Sequence, residues 1–400
     1  MMDYVVIVGG GHAAIQCAMK LREYGYQGGV KILTEESHYP YHRPPLSKKY
    51  LTGEVSEQDL YIVNPKTIAE KNIEVVFSVK VTQVDLTHKQ VICQDQRIDY
   101  SHLVIATGAR PRPLPLAQHQ VSNLHYCRNM DDIRHLAEQL DAIEKIAIIG
   151  GGYIGLELAA TLRTLGKTVT VLERAERILN RVACSQTAAF IKQAHLNQGV
   201  QIYESVNIEQ IVFQGTNISA LKLDNQTELN CDAVIAGIGV IPNTQFLGDD
   251  FEKSNDSLLV NVYCQTNQPD VFAIGDCTIF NLNGVLTKLE SVQNANEQAD
   301  IVAKFIVGQQ VSYQPKPWFW SDQYDLKIQI AGLARDFDSV IERRNDSKVS
   351  YWYFREKELI AVDAINDARA FMMGKKFVGL QVISPELMHD SNADVTKNFH

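Results

Sequence analysis

The sequence predicts an α/β protein: two domains, each built on a parallel sheet flanked by helices, followed by a small α+β domain. Three observations predict it. A strand, a glycine turn, a helix, a second strand and an acidic residue follow one another near residue 5 and again near residue 146. Two apolar segments, Leu103 to Gly108 and Ala233 to Gly239, end in glycine at matching places after the two copies. From Pro315 onward the chain becomes aromatic and strand-like, with Trp318, Phe319 and Trp320 at its start.

In the first copy Val5 to Val8 reads as a buried strand, Gly9-Gly10-Gly11 as the turn, Ala13 to Tyr24 as an amphipathic helix, and Val30 to Leu33 as the next strand, with Glu35 beyond its end. Val75 to Val84 and Gln90 to Cys93 read as strands of a small antiparallel sheet. In the second copy Lys145 to Ile149, Gly150-Gly151-Gly152, Ile154 to Leu165 and Thr168 to Leu172 repeat the pattern and end at Glu173. The chain is expected to cross between domains at Pro111 to Pro115 and at Ile241 to Asn243, so the second nucleotide domain is inserted into the first. This gives a discontinuous domain of residues 1–111 and 242–316, an inserted domain of 112–241, and a C-terminal α+β domain of 317–400. The last of these has strands at Lys327 to Ile330, Ser339 to Ile341, Val349 to Phe354 and Glu358 to Val362, a helix near Asp367 to Gly374, and a polar, frayed tail from Asp390.

Composition sets the class. Four hundred residues, 45% apolar and 21% charged, are too many for one ordinary core. A formal charge of -9 argues against nucleic acid, whose phosphates call for a basic face. The longest apolar stretch, Ala233 to Ile241, spans nine residues and includes two glycines, too short to cross a membrane, and the N-terminal segment runs straight into a strand, so a cytoplasmic protein is expected. Cys17, Cys93, Cys127, Cys184, Cys231, Cys264 and Cys277 stand singly, with no spacing suited to a metal or a redox pair, and no metal site is assigned.

The glycine turns carry the chemistry. In Gly9-x-Gly11-x-x-Ala14 the first glycine makes the tight turn, the second lets a pyrophosphate approach the backbone, and the small third residue admits close helix packing. Gly150-x-Gly152-x-x-Gly155 repeats this. Glu173 sits where a carboxylate accepts hydrogen bonds from a ribose 2′-hydroxyl and repels a 2′-phosphate, which favours NADH over NADPH; Arg174 beside it reads either as a group that can serve a 2′-phosphate or as a solvated surface charge. Gly237, where the second apolar strand ends, is assigned to the same nucleotide. The strand Val271 to Ile274 ends in Gly275-Asp276, and an acid there can hold the ribityl hydroxyls of a flavin.

These pieces, together with Tyr41-His42-Arg43-Pro44-Pro45-Leu46-Ser47-Lys48, Ala106-Thr107-Gly108, Thr266 to Asp276, Glu290 to Ala295 and Pro317 to Gln323, resemble the FAD-dependent pyridine-nucleotide reductases, and among them the ferredoxin reductases that serve cytochrome P450 and Rieske oxygenase systems. The resemblance covers essentially the whole chain. It implies a glutathione-reductase-like arrangement of two Rossmann-like dinucleotide-binding domains and a small α+β C-terminal domain. It also implies that Gly9, Gly11, Ala14, Glu35, Arg43, Lys48, Val81, Ala106, Thr107, Gly108, Arg128, Asp276, Val292 and Trp320 belong to the FAD site, with Glu35 on the adenosine ribose. Gly150, Gly152, Gly155, Glu157, Glu173 and Gly237 then belong to the NADH site, and Lys48 pairs with Glu157 beside flavin N5 as the catalytic pair.

The implied reaction takes hydride from NADH onto FAD and passes electrons singly to a [2Fe-2S] ferredoxin. No cysteine stands in or just before the Tyr41 to Lys48 segment, so electrons are expected to leave the flavin directly. Two other readings stand beside this one: a rubredoxin or quinone reductase of the same fold, and a flavoprotein like the apoptosis-inducing factors with an interaction role. His12 reads as a half-exposed helix-start residue, and His38 and His42 lack a third ligand. No acid-base residue is needed for hydride transfer.

Overall fold

The computed structural model describes residues 4–94, 96–115, 121–390 and 393–400. The chain divides into two compact units, one of residues 1–43, 56–110 and 240–315, the other of 44–55, 111–239 and 316–400. The first is built on five parallel strands in the order Val271–Ala273, His102–Ile105, Tyr4–Val8, Gly29–Leu33 and Ile73–Val76. Val5, Val6 and Ile7 are fully buried, as a β-branched run covered on both faces of a parallel sheet must be. The helix His12–Glu23 presents Ala14, Cys17, Ala18 and Leu21 inward and packs against the helix Val292–Ile306. Each helix buries small side chains, Ala14 and Ala18 on one and Ala295 and Ala299 on the other.

The Val75 to Val84 run is not one antiparallel strand. Its start belongs to the parallel sheet as Ile73–Val76, and Ser78 then takes a left-handed conformation (φ 55°) that breaks the strand. Only Val81–Asp85 pairs antiparallel with Gln90–Cys93, joined by Gln96–Asp99.

The second unit repeats the architecture, with parallel strands in the order Gln201–Tyr203, Thr168–Leu172, Lys145–Ile149, Ala233–Ala236 and Leu124–His125. The C-terminal segment forms a five-stranded antiparallel sheet, in the order Trp318–Gln323, Leu326–Gly332, Glu358–Ile365, Lys348–Arg355 and Ser339–Asn345, with the helix Ala368–Phe377. The predicted α/β class with its α+β C-terminal part is therefore what the chain adopts. One continuous core joins Leu156, Ile178, Ala188 and Ile191 to Ile328, Val349, Tyr351 and Ile365 of the C-terminal sheet, which explains why the two segments share a unit. The tail departs from its frayed expectation. Val395 is buried and the Phe399 ring stacks on Phe377 at 4.7 Å, so two apolar side chains hold an otherwise polar segment in place.

A buried carboxyl sits at that shared core. Asp363 is fully buried, accepts from Thr187 Oγ1 at 2.8 Å and from the Tyr353 hydroxyl, and has no partner for Oδ1 among the described residues. Burial raises its pKa to about 6, against the two hydrogen bonds that favour the anion. The folded state therefore holds a proton that the unfolded chain releases near pH 4, so stability falls as pH rises through the window from about 4 to about 6. Asp363→Asn is expected to raise the neutral-pH stability, by up to about 3 kcal/mol, and to flatten the melting temperature across that window. Thermal melts of both proteins from pH 4 to 8 check this; parallel curves contradict it.

Candidate functional site

In the first unit Gly9 takes φ +122°, and a Cβ there would lie 2.2 Å from the Ala106 carbonyl oxygen. The turn therefore depends on glycine for both its torsion and its contact with the Ala106-Thr107-Gly108 segment. Gly11 is different: a Cβ built on it meets nothing within 4 Å, leaving open space at the N-terminus of the His12–Glu23 helix. Ala14 is fully buried. Thr107 Oγ1 donates to the Asn243 carbonyl at 2.7 Å, and Asn243 returns bonds to Thr107 and Gly108, which ties this segment to the chain after the inserted repeat.

Around this turn the structure sorts the expected residues. Glu35 is exposed and pairs with Lys80 at 3.0 Å. Its neighbour Glu36, which sequence reasoning passed over, binds Arg43 Nη2 at 2.5 Å and accepts from the Tyr41 hydroxyl at 2.5 Å. Burial works against the Arg43 charge, but Tyr41, Glu36 and Asp276 together hold its pKa above the ordinary arginine value. Arg43 and Asp276 are thus brought within electrostatic reach, while Val81 is buried on its antiparallel strand and Val292 opens the helix that packs on the first nucleotide helix. His42 lies 3.2 Å from His12, and His38 bonds to Glu57 at 2.9 Å, so the two histidines weighed as a metal pair have other partners. Among the described residues no group of three or more His, Cys, Asp or Glu could hold a metal ion.

In the second unit Gly150 repeats Gly9 (φ +111°), its Cβ position 2.4 Å from the Gly237 carbonyl oxygen, and Gly152 repeats Gly11 with nothing within 4 Å. A Cβ on Gly155 would lie 2.2 Å from the Gly150 oxygen, so the helix can sit on the turn only with glycine there. Glu173 closes the turn from the neighbouring strand, accepting from Gly151 N at 2.8 Å and Ala175 N at 2.7 Å, while Arg174 is exposed. The carboxylate is thereby fixed beside the turn.

Lys48 and Glu157 also belong to this unit and meet directly. Lys48 Nζ lies 2.6 Å from Glu157 Oε2 and donates to the Pro44 carbonyl at 3.2 Å. The short helical turn Pro44–Ser47 presents the lysine, and the nucleotide helix Tyr153–Thr164 presents the glutamate one turn in from its start. Glu157 is only 3% exposed, and two serines complete its shell: Ser47 Oγ donates to Oε2 at 2.8 Å and Ser321 Oγ to Oε1 at 2.7 Å. A half-buried cation held by a buried carboxylate with this donor set can stabilise negative charge developing beside it. Both serines lie inside segments quoted above, and period-two alternation along Trp318–Gln323 put Ser321 and Gln323 on the face opposite Trp320. Trp320 packs beside Trp318 with tilted rings 5.6 Å apart and lines an open cavity of about 270 Å³ with Trp318, Asp322, Lys327 and Gln329. Cys127 lies within electrostatic reach of Lys48 and Glu157, and of its neighbour Arg128.

All seven cysteines are free. Burial pushes the thiols of Cys17 and Cys127 to about 12 and of Cys231 and Cys277 to about 11, and raises Cys93 and Cys264 as well. None of these is poised as a thiolate.

Compared with known proteins, residues 3–299 match the family model described as pyridine nucleotide-disulphide oxidoreductase, and residues 318–398 match one described as reductase C-terminal. The chain belongs to the pyridine nucleotide-disulphide oxidoreductase family. It is an oxidoreductase whose cofactors are FAD and NAD(H). Putidaredoxin reductase of Pseudomonas putida is 35% identical over 401 residues, covering 98% of this chain and 95% of its own. The covalent putidaredoxin reductase-putidaredoxin complex matches with a TM-score of 0.92 at 35% identity, covering 97% of this chain and 96% of that one. The ferredoxin reductase for the CYP199A2 system of Rhodopseudomonas palustris matches with a TM-score of 0.93 at 32% identity, covering 99% of both chains. The residues present fit two dinucleotides, because each repeat leaves the space a pyrophosphate needs at the second glycine and at a helix N-terminus. Among the described residues no helix is long and apolar enough to cross a membrane.

Proposed function

We propose that this chain takes hydride from NADH onto FAD and passes the electrons one at a time to a [2Fe-2S] ferredoxin, which serves a Rieske-type dioxygenase or a cytochrome P450 in the cytoplasm. The observation that carries this reading is the full-length likeness to putidaredoxin reductase, C-terminal segment included. Bound FAD accepts two electrons together and releases them singly. The protein supplies the rest. Gly11, Ala14 and the first helix N-terminus take the FAD pyrophosphate, Glu35 the adenosine ribose, and Arg43, Val81, Ala106 to Gly108, Arg128, Asp276, Val292 and Trp320 the remainder. Gly150, Gly152, Gly155 and Gly237 receive NADH, and Glu173 selects it over NADPH by charge.

Lys48 steadies negative charge beside flavin N5, and Glu157 orients both the lysine and the nicotinamide amide. The raised thiol pKa values support an exit for electrons that uses no cysteine. The three-domain division of 1–111 with 242–316, 112–241 and 317–400 is retained as the functional partition, the first part for FAD and the second for NADH. The reading is tested by mixing NADH-reduced protein anaerobically with an oxidised [2Fe-2S] ferredoxin: flavin reoxidation should match ferredoxin reduction, and a flavin that stays reduced contradicts it.

Coenzyme choice gives a second test. Glu173→Ala is expected to cut the preference for NADH over NADPH in kcat/KM by at least about tenfold, since a 2′-phosphate no longer faces a carboxylate. Unchanged selectivity in steady-state assays with both coenzymes removes Glu173 from that role.

A further inference from the structure

We propose that His195 and Gln323 are positioning residues for Glu157, setting the direction of a buried hydrogen-bond chain that ends on its carboxylate. The inference rests on the reading of Glu157 as the group that orients lysine and nicotinamide. The chain runs from Tyr324 through His195, Gln323 and Ser321 to Glu157. Ser321 Oγ donates to Glu157 Oε1 at 2.7 Å, and Gln323 Nε2 donates to Ser321 Oγ at 3.1 Å. Gln323 Oε1 lies 2.8 Å from His195 Nε2, and His195 Nδ1 lies 3.2 Å from the Tyr324 hydroxyl. Glu157, Ser321, Gln323 and His195 are all 3% exposed or less, so water does not substitute for any of these partners. Strand alternation supplies Ser321 and Gln323 from one face of Trp318–Gln323, and His195 comes from the last turn of the helix Ser185–Asn197.

Each group has a fixed supply of hydrogens, so the direction of one bond fixes the next. Ser321 has a single hydrogen. With the Gln323 nitrogen already donating to its oxygen, that hydrogen is left for Glu157. The Gln323 oxygen must then receive a hydrogen from His195 Nε2, and Nδ1 of the neutral ring accepts from Tyr324. Burial lowers the His195 pKa, against the bond to Gln323 that favours its charge, and burial raises Tyr324 to about 12, so the ring stays neutral and the phenol keeps its proton. In the other tautomer of His195 the amide turns over and its oxygen takes the Ser321 hydrogen. Among the described residues Glu157 is then left with Ser47 and Lys48. The histidine, far along the chain from both glycine turns, thus sets how many donors hold the carboxylate.

The test is anaerobic stopped-flow reduction of the FAD-loaded enzyme by NADH. His195→Leu and Gln323→Leu are expected to lower the limiting reduction rate about tenfold while leaving FAD content and the apparent Kd for NADH within about twofold. His195→Gln, whose amide N–H replaces Nε2–H, should restore most of the rate. In a Glu157→Gln background, His195→Leu should cost nothing further, because the histidine acts through that carboxylate. FAD content and melting temperature report any folding failure of His195→Leu, and Gln323→Leu then carries the comparison. A normal rate in folded His195→Leu and Gln323→Leu, beside a slow Glu157→Gln, overturns this inference alone. Losses that add in the double variant overturn it too. A normal rate in Glu157→Gln overturns the role given to Glu157, and is read separately.

Discussion

Lys48→Ala is expected to purify as a yellow, folded protein whose reduction by NADH is slowed about 10²- to 10³-fold, with a much smaller loss of FAD affinity. Among the described residues Lys48 is the one cation bonded to the Glu157 carboxylate, at 2.6 Å, and the two serines on that carboxylate are neutral. Its removal takes away the positive charge proposed to sit near flavin N5. It also leaves a buried carboxylate without its counter-ion, a change that costs about 3–5 kcal/mol when a buried pair is broken, so a lower melting temperature should accompany the kinetic effect. Lys48→Arg keeps the charge and should recover part of the rate, though its planar fork does not reproduce an ammonium that also reaches the Pro44 carbonyl. Single-turnover reduction at saturating NADH is the measurement. A rate equal to that of the parent protein would show Lys48 to be a bystander.

Gly152→Val is expected to separate the two nucleotides. Its backbone conformation, φ -81° and ψ 176°, is open to any residue, and a Cβ there meets nothing, so the fold should tolerate the side chain. The space it fills is the space a pyrophosphate needs. The variant should keep its FAD and still be bleached by dithionite, while its apparent Kd for NADH rises at least about 10²-fold. Gly150→Ala makes the useful contrast: at φ +111° and 2.4 Å from the Gly237 oxygen, even a methyl group disturbs the turn itself, and loss of folding is expected. Titration of NADH against both variants checks this, and normal NADH binding by Gly152→Val would contradict the assignment of the second turn.

What the sequence made legible follows from the range over which each signal acts. The two repeats could be read because strand, turn, helix and strand are contiguous, and their boundaries in the structure differ by about one residue. Gly9 and Gly150 meet Ala106 and Gly237, and those contacts were visible only as a matching pair of apolar strands ending in glycine. Contacts made across long stretches of chain were not legible. Ser47 and Glu157 are 110 residues apart, and Ser321 and Glu157 are 164 apart, so neither serine stood out although both lay in quoted segments. Glu36 was hidden by its neighbour. Position at a strand end pointed to Glu35, whereas the charge network with Arg43 and Tyr41 is built on Glu36. The tail was misread for a related reason: composition counts its polar residues, while its order depends on where Val395 and Phe399 are buried.

The direct exit of electrons to an outside carrier is the claim on which the rest depends, and coupled turnover tests it most directly. NADH-dependent cytochrome c reduction should be slow with the flavoprotein alone and strongly stimulated, in proportion to the amount added, by a [2Fe-2S] ferredoxin. Substituting the cysteines singly should leave that stimulation intact. Turnover that no ferredoxin accelerates, or that disappears with a single cysteine, would contradict the account.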